Sequence, residues 1–258
     1  MQILIPMVGA GQRFVDAGYA TPKPLLEVDG VPMVVRVVQD MPAADKVIFV
    51  INGEHVRQHA IDRVLRRYFP KCELVVAPSL TAGQACSVRL GLDVADPDED
   101  VLVAACDNTH LFSPAAWEKA TDASDTQAII WAYCREPRVL VRPQWYGWVE
   151  CSEGCRVRRV SVKRPISDDP LNDFVVSGSF WFRSAGSLAK WIDRLVERDE
   201  RVNNEFYLDS VPNLLIDAGE AVDVFEVDKY IGWGTPADYE DYHRWSDYVH
   251  SRRLPAAG

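Results

Sequence analysis

The stretch Ile3-Leu-Ile-Pro-Met-Val-Gly9-Ala-Gly11-Gln-Arg13 joins a short apolar run to a loop that is rich in glycine and carries a basic residue. The apolar run is typical of a buried strand, and glycines just past such a strand let backbone amides approach phosphate oxygens. Arg13 adds a planar donor group suited to phosphate. The spacing fits neither the GxxxxGK(S/T) loop nor the GxGxxG dinucleotide fingerprint. We therefore expect a long phosphate-binding loop that carries its charges before the next helix begins.

A second cation, Lys23, follows in the segment Pro22-Lys23-Pro24-Leu25. Because proline restricts both its own backbone and that of the preceding residue, we expect an extended segment around the lysine. Such a segment limits the entropy that the lysine loses when it binds an anion. Arg13 and Lys23 together therefore predict one cationic site behind the first strand.

Residues 1–105 alternate apolar runs with amphipathic segments. The runs predict strands at 3–5, 47–51, 74–77 and 101–105. The amphipathic segments predict helices at 31–39, with Pro32 in the first turn, at 54–69 and at 83–94. Continuous apolar strands separated by helices indicate a parallel sheet covered on both faces.

The pattern changes after residue 125. Strands are predicted at 128–134, 146–150, 156–162, 175–182 and 222–227, with hairpin-like turns that include residues 152–154. Helices are predicted at 185–198, at 205–218 and from 236 onwards. We therefore expect an α/β fold in one domain, residues 1–258, built on a single mixed, mostly parallel central sheet flanked by helices. Residues 1–125 form its nucleotide-binding half and residues 126–258 its acceptor-binding half.

The composition limits the classes of partner. The chain has 28 basic and 38 acidic residues in 258, a net charge of −10, which argues against nucleic acid as the main partner. No apolar run approaches the ~18 residues that a bilayer-spanning helix needs, and no secretory signal opens the chain. The six cysteines form no CxxC pair, so we expect them to be reduced. These features predict a cytoplasmic enzyme without a membrane partner.

Two further motifs follow predicted strands. Gly83 and Gln84 lie in the segment 81–88, which opens a helix, and free amides at a helix N-terminus can read the edge of a flat ligand. Close helix packing is the structural alternative for this glycine. Asp107 lies just past the end of a buried strand, where open α/β sheets bind ligands. Mg²⁺ takes one or two carboxylates plus phosphate oxygens, so Asp107 is our candidate magnesium ligand, with capping of the next helix as the alternative.

These motifs resemble the nucleotidylyltransferases of the sugar-phosphate type. Gly9, Gly11, Arg13 and Pro22-Lys23-Pro24-Leu25 match the family's GxGxR and PKPL signature, although Gln12 stands where serine or threonine is frequent. The resemblance implies a GT-A-like fold with a Rossmann-like first half, and places the metal-binding aspartate at Asp107. It implies that Arg13, Lys23 and Asp107 act in catalysis. The nucleotide-binding residues that it implies are Met7, Gly9, Ala10, Gly11, Gln12, Arg13, Lys23, Gly83, Gln84 and Asp107.

The resemblance extends to the acceptor side. Tyr146-Gly147-Trp-Val-Glu150 resembles the family's YGxVE strand, and Ser177-Gly178-Ser-Phe180 resembles a later strand. Lys163-Arg164-Pro165 resembles its Glu-Lys-Pro segment in either of two registers, and in both registers the usual glutamate is missing. If Pro165 sets the register, Arg164 replaces the phosphate-binding lysine and Lys163 replaces the glutamate, an acid-to-base change that favours an acceptor with additional negative charge. If the register slips by one, Lys163 is the phosphate ligand and Val162 takes the glutamate position. The acceptor-binding residues that the resemblance implies are Tyr146, Gly147, Lys163, Arg164, Gly178, Asn204 and Glu205.

Some assignments on this side stay open. The segment 202–207 resembles the capsule and cell-surface branch of the family, but Asn204 could equally cap a helix. Gly232 stands where many members have a second metal ligand, which leaves Asp228 as a weak candidate. Eight basic residues cluster between 135 and 164, and a solvated strand face explains them as well as a binding surface does: Arg135, Arg138, Arg142, Arg156, Arg158, Arg159, Lys163 and Arg164.

The reaction implied is attack by an acceptor phosphate on the α-phosphorus of a nucleoside triphosphate, with Mg²⁺ as cofactor and pyrophosphate as leaving group. A sugar 1-phosphate is the first acceptor to consider, and a non-sugar phosphate or phosphonate, activated as by a cytidylyltransferase, is the second. A non-catalytic nucleotide-binding regulator and a glycosyltransferase are alternatives of other classes. The sequence does not fix the base or the oligomeric state, and it is compatible with a homo-oligomer.

Overall fold

A mixed sheet of nine strands runs through the middle of the computed structural model, which describes residues 1–152 and 154–252. Seven strands follow the order β10-β9-β11-β6-β1-β4-β5, and β8 pairs with β11 and β12. Two short two-stranded ribbons, β2-β3 and β13-β7, complete the strands of the described residues. The strands are β1 Gln2–Met7, β2 Glu27–Val28, β3 Val31–Pro32, β4 Lys46–Asn52, β5 Glu73–Ala77, β6 Val101–Val103, β7 Asn108–Leu111, β8 Thr126–Tyr133, β9 Gly147–Cys151, β10 Val157–Val162, β11 Phe174–Phe182, β12 Ala221–Glu226 and β13 Lys229–Gly232.

Helices cover both faces of this sheet. They are α1 Gln12–Asp16, α2 Met33–Asp40, α3 Gly53–His59, α4 Ile61–Tyr68, α5 Gln84–Leu92, α6 Pro114–Thr121, α7 Ala185–Glu197, α8 Val211–Asp217 and α9 Pro236–Ser251. Single 3-10 turns lie at Lys23–Leu25, Pro137–Leu140, Pro143–Trp145 and Leu208–Ser210. Among the described residues, no helix combines the length and the apolar character needed to cross a bilayer.

The predicted two halves differ in strand direction. Strands β6, β1, β4 and β5 are parallel, as the continuous apolar runs indicate. Strands β9, β10 and β11 pair antiparallel, and β11 joins β6 antiparallel, so the second half extends the same sheet. The mixed α/β fold is therefore confirmed. The turn predicted at 152–154 includes residue 153, and the predicted domain ends at 258; residues 153 and 253–258 lie outside the described residues.

Side chains of β1 alternate between two cores, one on each face of the sheet. Ile3, Ile5 and Met7 pack into one core with α2, while Leu4 packs into the other with α5. This alternation follows from the period of two in a strand. Because both faces are buried, β1 reads as an uninterrupted apolar run, and its carboxyl end is the only part free to bind a ligand.

Several predicted element bounds were wrong, each for a local reason. Pro32 belongs to β3, pairs with Glu27 and caps α2, which begins at Met33 rather than at residue 31. The helix expected over 54–69 is broken at Ala60, whose φ is 49°. The helix expected over 205–218 begins only at Val211, because the preceding residues form a tight turn and a 3-10 turn.

Two local predictions in the first motif also need correction. Arg13 does not precede the next helix, since the short helix α1 begins at Gln12, directly after Gly11. Gly11 has a φ of 66°, which explains the glycine at the start of this helix. Lys23 begins a 3-10 turn rather than an extended segment, because Pro24 at the second position of the turn has a backbone that suits it.

Candidate active site

An ion pair marks the carboxyl end of the parallel strands. Lys23 Nζ lies 2.7 Å from Asp107 Oδ2, and the two side chains are 20% and 23% exposed. Burial alone would lower the pKa of Lys23, but the charges of Asp107 and Cys106 and the hydrogen bond to Asp107 together outweigh it and raise that pKa. Lys23 is therefore fully protonated at neutral pH. The structure thus brings together two of the three residues expected to act in catalysis.

Gly234 keeps the carboxylate of Asp107 accessible. A Cβ atom on Gly234 would lie 3.0 Å from Asp107 Oδ2, so this glycine leaves room beside the carboxylate. The Asp107 carbonyl accepts a hydrogen bond from the Trp233 backbone amide at 2.7 Å. The pairing of β7 with β13 brings Trp233 and Gly234 close to Asp107. The sequence around these residues does not predict this contact.

Arg13 faces the same cavity from α1. Its guanidinium carbon lies 4.2 Å from the centre of the Trp145 ring, and that of Arg142 lies 4.3 Å from it. Such stacking uses the faces of the guanidinium groups and leaves their N–H edges free. Arg13 is thus held over the cavity with donors available to phosphate.

The other residues expected in the nucleotide loop are not among those that line the cavity. Met7 is buried in the core at 3% exposure, so its side chain does not reach the cavity. Gln12 donates to Asp16 at 2.7 Å within α1. A Cβ on Gly9 would meet nothing within 4 Å, and Ala10 is exposed. The loop therefore leaves space for a ligand at Gly9.

Gly83 is required by packing. Its φ is 133°, and a Cβ would lie 2.5 Å from both the backbone nitrogen and the carbonyl oxygen of Phe206. The backbones are joined by bonds from Ala85 N to Phe206 O and from Phe206 N to Ala82 O. This observation supports the alternative of close packing for Gly83. Its neighbour Gln84, the first residue of α5, does line the cavity.

A single cavity of about 950 Å³ spans both halves of the chain. From the first half it is lined by Arg13, Gln84, Asp107 and Asn108, and from the second half by strands β9 and β11 and the start of α9. The segment Gly234-Thr-Pro-Ala-Asp238 begins α9, and the Thr235 side chain caps this helix by accepting a hydrogen bond from the Asp238 backbone amide. The cavity is large enough for two ligands side by side, since small-molecule sites usually occupy about 300–1,000 Å³.

Four of the seven expected acceptor residues line this cavity: Tyr146, Gly147, Lys163 and Gly178. Arg164 is exposed and is not among the lining residues, whereas Lys163 lines the cavity, an arrangement that favours the register in which Lys163 takes the place of the family's lysine. The Lys163 ammonium donates to the Trp145 carbonyl and lies 5.2 Å from the centre of the Tyr207 ring. Burial lowers the pKa of Lys163, and the charge of Asp209 partly offsets this effect.

Asn204 and Glu205 do not line the cavity. Asn203 and Asn204 have φ values of 50° and 64° and form the tip of a tight turn closed by Val202 and Glu205. Asparagine tolerates this left-handed backbone, so the turn explains the Asn-Asn pair. The residues that reach the cavity from this segment are instead Tyr207 and Asp209. No spacing in the sequence singles them out.

The basic cluster divides into paired and available groups. Arg156 pairs with Asp125 and Asp223, and Arg159 pairs with Glu150. Arg138 lines the cavity but contacts Glu136, Asp238 and Asp241. Only Arg142 and Lys163 of the cluster face the cavity without a carboxylate within 4.0 Å among the described residues. Most of these arginines therefore belong to a solvated surface.

The donor set fits a magnesium ion held mainly by substrate. Asp107 offers one carboxylate at the strand ends, and the described residues contain no group of three or more His, Cys, Asp or Glu side chains placed to hold a metal. Asp228 is exposed and lines a different cavity, beside Thr109 and Trp233, so it does not join Asp107. Mg²⁺ is commonly bound by one or two carboxylates plus phosphate oxygens, which one aspartate and a triphosphate can supply.

Known proteins share this architecture. A nucleoside-diphosphate-sugar pyrophosphorylase from Vibrio cholerae superposes with a TM-score of 0.75 at 20% identity, over 94% of this chain and 99% of its own. An inositol-1-phosphate CTP transferase from T. maritima superposes with a TM-score of 0.70 at 18% identity, over 99% of this chain and 97% of its own. At these identities the likeness concerns the fold. None of the curated protein sequences is significantly similar to this chain.

Residues 4–165 match the MobA-like NTP transferase domain. The match covers more than half of the chain and contains the glycine loop, Lys23, Asp107 and Lys163. It supports nucleotidyl transfer from a nucleoside triphosphate to a phosphate acceptor and argues against the regulatory and glycosyltransferase alternatives. This chain belongs to the family of MobA-like NTP transferases and is a nucleotidyltransferase.

Proposed function

We propose that this protein transfers a nucleoside monophosphate from a nucleoside triphosphate to a sugar 1-phosphate, forming a nucleotide-activated sugar and releasing pyrophosphate. The observation that carries this proposal is one cavity lined by Arg13, Asp107 and Lys163, with Lys23 paired to Asp107 at its edge. Arg13 and Lys23 come from the first half of the chain, and Lys163 comes from the second. A triphosphate and an acceptor phosphate each need such a cation.

The chemistry requires positioning and charge neutralisation rather than a covalent enzyme intermediate. An oxygen of the acceptor phosphate attacks the α-phosphorus in line, and the bond from that phosphorus to the bridging oxygen breaks as pyrophosphate leaves. Arg13 and Lys23 would bind the triphosphate and the departing pyrophosphate. Lys163 would hold the acceptor phosphate in line with the α-phosphorus.

Nucleotidyltransferases of this family generally use a divalent metal, and we propose Mg²⁺ for this chain. Asp107 would hold it together with phosphate oxygens. The ion would supply positive charge at the α-phosphate. Lys23 lies against the same carboxylate and would orient it toward the ligand.

Release of pyrophosphate tests the proposal directly. Purified protein would be incubated with Mg²⁺, each of the common nucleoside triphosphates and a panel of phosphorylated acceptors. We expect one triphosphate to yield pyrophosphate only when a sugar 1-phosphate is added, together with a nucleotide sugar detectable by mass spectrometry. Consumption of nucleotide that does not depend on any acceptor would contradict the transferase assignment.

A second acceptor class is favoured by one residue. With Lys163 as the phosphate ligand, Val162 stands where the resembling family has a glutamate that usually holds sugar hydroxyls, and the loss of that acid suits a non-sugar phosphate or phosphonate. Activation of such an acceptor, as by a cytidylyltransferase, is therefore the second candidate. The same panel should include ethyl phosphate and 2-aminoethylphosphonate. Preferential use of either compound would favour the non-sugar acceptor over the sugar 1-phosphate.

The cellular setting follows from the proposed reaction. A nucleotide-activated sugar is a donor for the synthesis of surface polysaccharide, so we place the protein in the cytoplasm in a pathway leading to capsule material. We treat residues 1–258 as one nucleotidyltransferase domain. This assignment is compatible with a homo-oligomer. Its partners are then two small molecules rather than nucleic acid or a membrane.

A further inference from the structure

A carboxylate that no sequence motif singled out, Asp209, lies in the acceptor part of the cavity. Asp209 belongs to the 3-10 turn Leu208–Ser210 and lines the cavity together with Gly147 and Lys163. A Cβ on Gly147 would overlap Asp209 Oδ2, so the glycine is what allows the carboxylate to lie against β9. Packing between β9 and the turn, rather than sequence proximity, brings these residues together.

The Asp209 carboxylate lacks a side-chain donor. Among residues 1–152 and 154–252 it has no ion pair within 4.0 Å, and no side chain donates a hydrogen bond to it. Burial raises the pKa of Asp209, while the positive charge of Lys163 and a hydrogen bond from its own backbone amide lower it. A partly desolvated carboxylate without a donor is costly, and a ligand that supplies a donor removes this cost.

We propose that Asp209 accepts a hydrogen bond from a hydroxyl group of the acceptor, and so replaces the glutamate that is missing at Val162. This inference rests on the proposed function and names the acceptor class more closely: a phosphorylated polyol with a hydroxyl near its phosphate. Lys163 binds the phosphate and Asp209 binds the hydroxyl. The loss of the glutamate from the segment 162–165 is thus compensated within the cavity, and the acceptor needs no additional negative charge.

A hydroxyl fits this site better than an ammonium group does. Lys163 already supplies the positive charge beside Asp209, and Arg13 lowers the pKa of Lys163 further, which shows that cations here repel one another. A third cation on the acceptor would meet that repulsion. A neutral hydroxyl satisfies Asp209 without it.

Asp209→Asn tests the inference, with Asp217→Asn as a matched control on an exposed residue outside the cavity. Pyrophosphate release is measured with the best sugar 1-phosphate, its monodeoxy analogues, ethyl phosphate and phosphoethanolamine. In the unaltered protein we expect removal of one hydroxyl to lower kcat/KM about 10- to 100-fold, the range for hydrogen bonds to a charged group. Asp209→Asn should lose a similar factor for the full sugar phosphate and little for that deoxy analogue. Its KM for the triphosphate and its Tm should stay near those of Asp217→Asn.

The outcomes separate this inference from the proposed function. If sugar 1-phosphates are used but Asp209→Asn loses the same factor with every acceptor, or loses nothing, Asp209 has no role in hydroxyl recognition while the proposed function stands. If the unaltered protein prefers ethyl phosphate or phosphoethanolamine, both the polyol acceptor and the role of Asp209 are refuted. Nucleotidyl transfer itself then remains, since pyrophosphate is still released.

Discussion

Stability at mildly acidic pH should depend on one buried histidine. His110 in β7 is 3% exposed, and neither of its ring nitrogens has a hydrogen-bond partner among the described residues. Its ring lies 5.1 Å from that of Trp131 and 6.0 Å from that of Tyr230. Burial lowers the pKa of His110 from 6.5 to about 3. The folded protein therefore keeps this side chain neutral at mildly acidic pH.

The direction and size of the effect follow from proton linkage. Below pH 6.5 the unfolded chain binds a proton at His110 and the folded chain does not, so the free energy of unfolding falls as pH falls. The loss continues down to the folded pKa of about 3. At pH 5 it amounts to about 2 kcal/mol relative to neutral pH, from 1.36 kcal/mol for each pH unit below the unfolded pKa.

Urea unfolding followed by tryptophan fluorescence measures this loss. His110→Phe removes the titrating group, keeps an aromatic ring among aromatic neighbours and removes the unpartnered nitrogens. Between pH 7 and pH 5 we expect the unaltered protein to lose about 2 kcal/mol more of its free energy of unfolding than His110→Phe does. His55, whose pKa burial also lowers, contributes equally to both proteins and cancels in this difference. Equal losses in the two proteins would refute the reasoning.

Four substitutions test the site and the packing beside it. Arg13→Ala should lower the rate of pyrophosphate release by about 100-fold or more while the circular dichroism spectrum is kept; near-normal turnover contradicts the role of Arg13. Burial lowers the pKa of Lys163, so KM for the acceptor should rise with pH earlier than for an ordinary lysine, and Lys163→Arg should shift that rise to higher pH. Gly83→Ala, whose Cβ would lie 2.5 Å from the Phe206 backbone, should lower the free energy of unfolding by about 2–4 kcal/mol, measured by urea unfolding. Gly9→Ala, which meets no atom within 4 Å, should change it by less than about 0.5 kcal/mol.

The sequence predicts those features that depend on neighbouring residues. The parallel strands follow from uninterrupted apolar runs, because burial on both faces of a sheet leaves no polar positions. Asp107 could be placed at the strand ends because β6 ends at Val103, just before it. The short ribbon of β7 with β13 was missed, since each strand has only four residues and neither shows the polar–apolar alternation or the apolar run of a strand.

Contacts between distant segments were not predictable. Asp209 becomes recognisable only when packing places it against Gly147, and Gly83 only when the Phe206 backbone is seen to cover it. Trp145 precedes the Tyr-Gly motif and shows no periodicity, yet its ring holds Arg13. A local sequence pattern indicates which residues of a segment are polar and which are apolar. Which other segment it packs against depends on how the whole sheet is assembled.

The position of Trp145 bears on how the two ligands are brought together. Its ring stacks with Arg13 and its carbonyl accepts from Lys163, so one residue contacts the cation on each side of the reaction. An exposed stack of this kind is worth about 0.5–1 kcal/mol, which offsets part of the ~2 kcal/mol of rotamer entropy of a free arginine and does not compete with phosphate for its N–H groups. Arg13 also contributes to the lowered pKa of Lys163 by repulsion, although burial is the larger cause. We expect a triphosphate bound to Arg13 to neutralise that repulsion and to raise the pKa of Lys163. Binding of the nucleotide would then strengthen binding of the acceptor phosphate electrostatically.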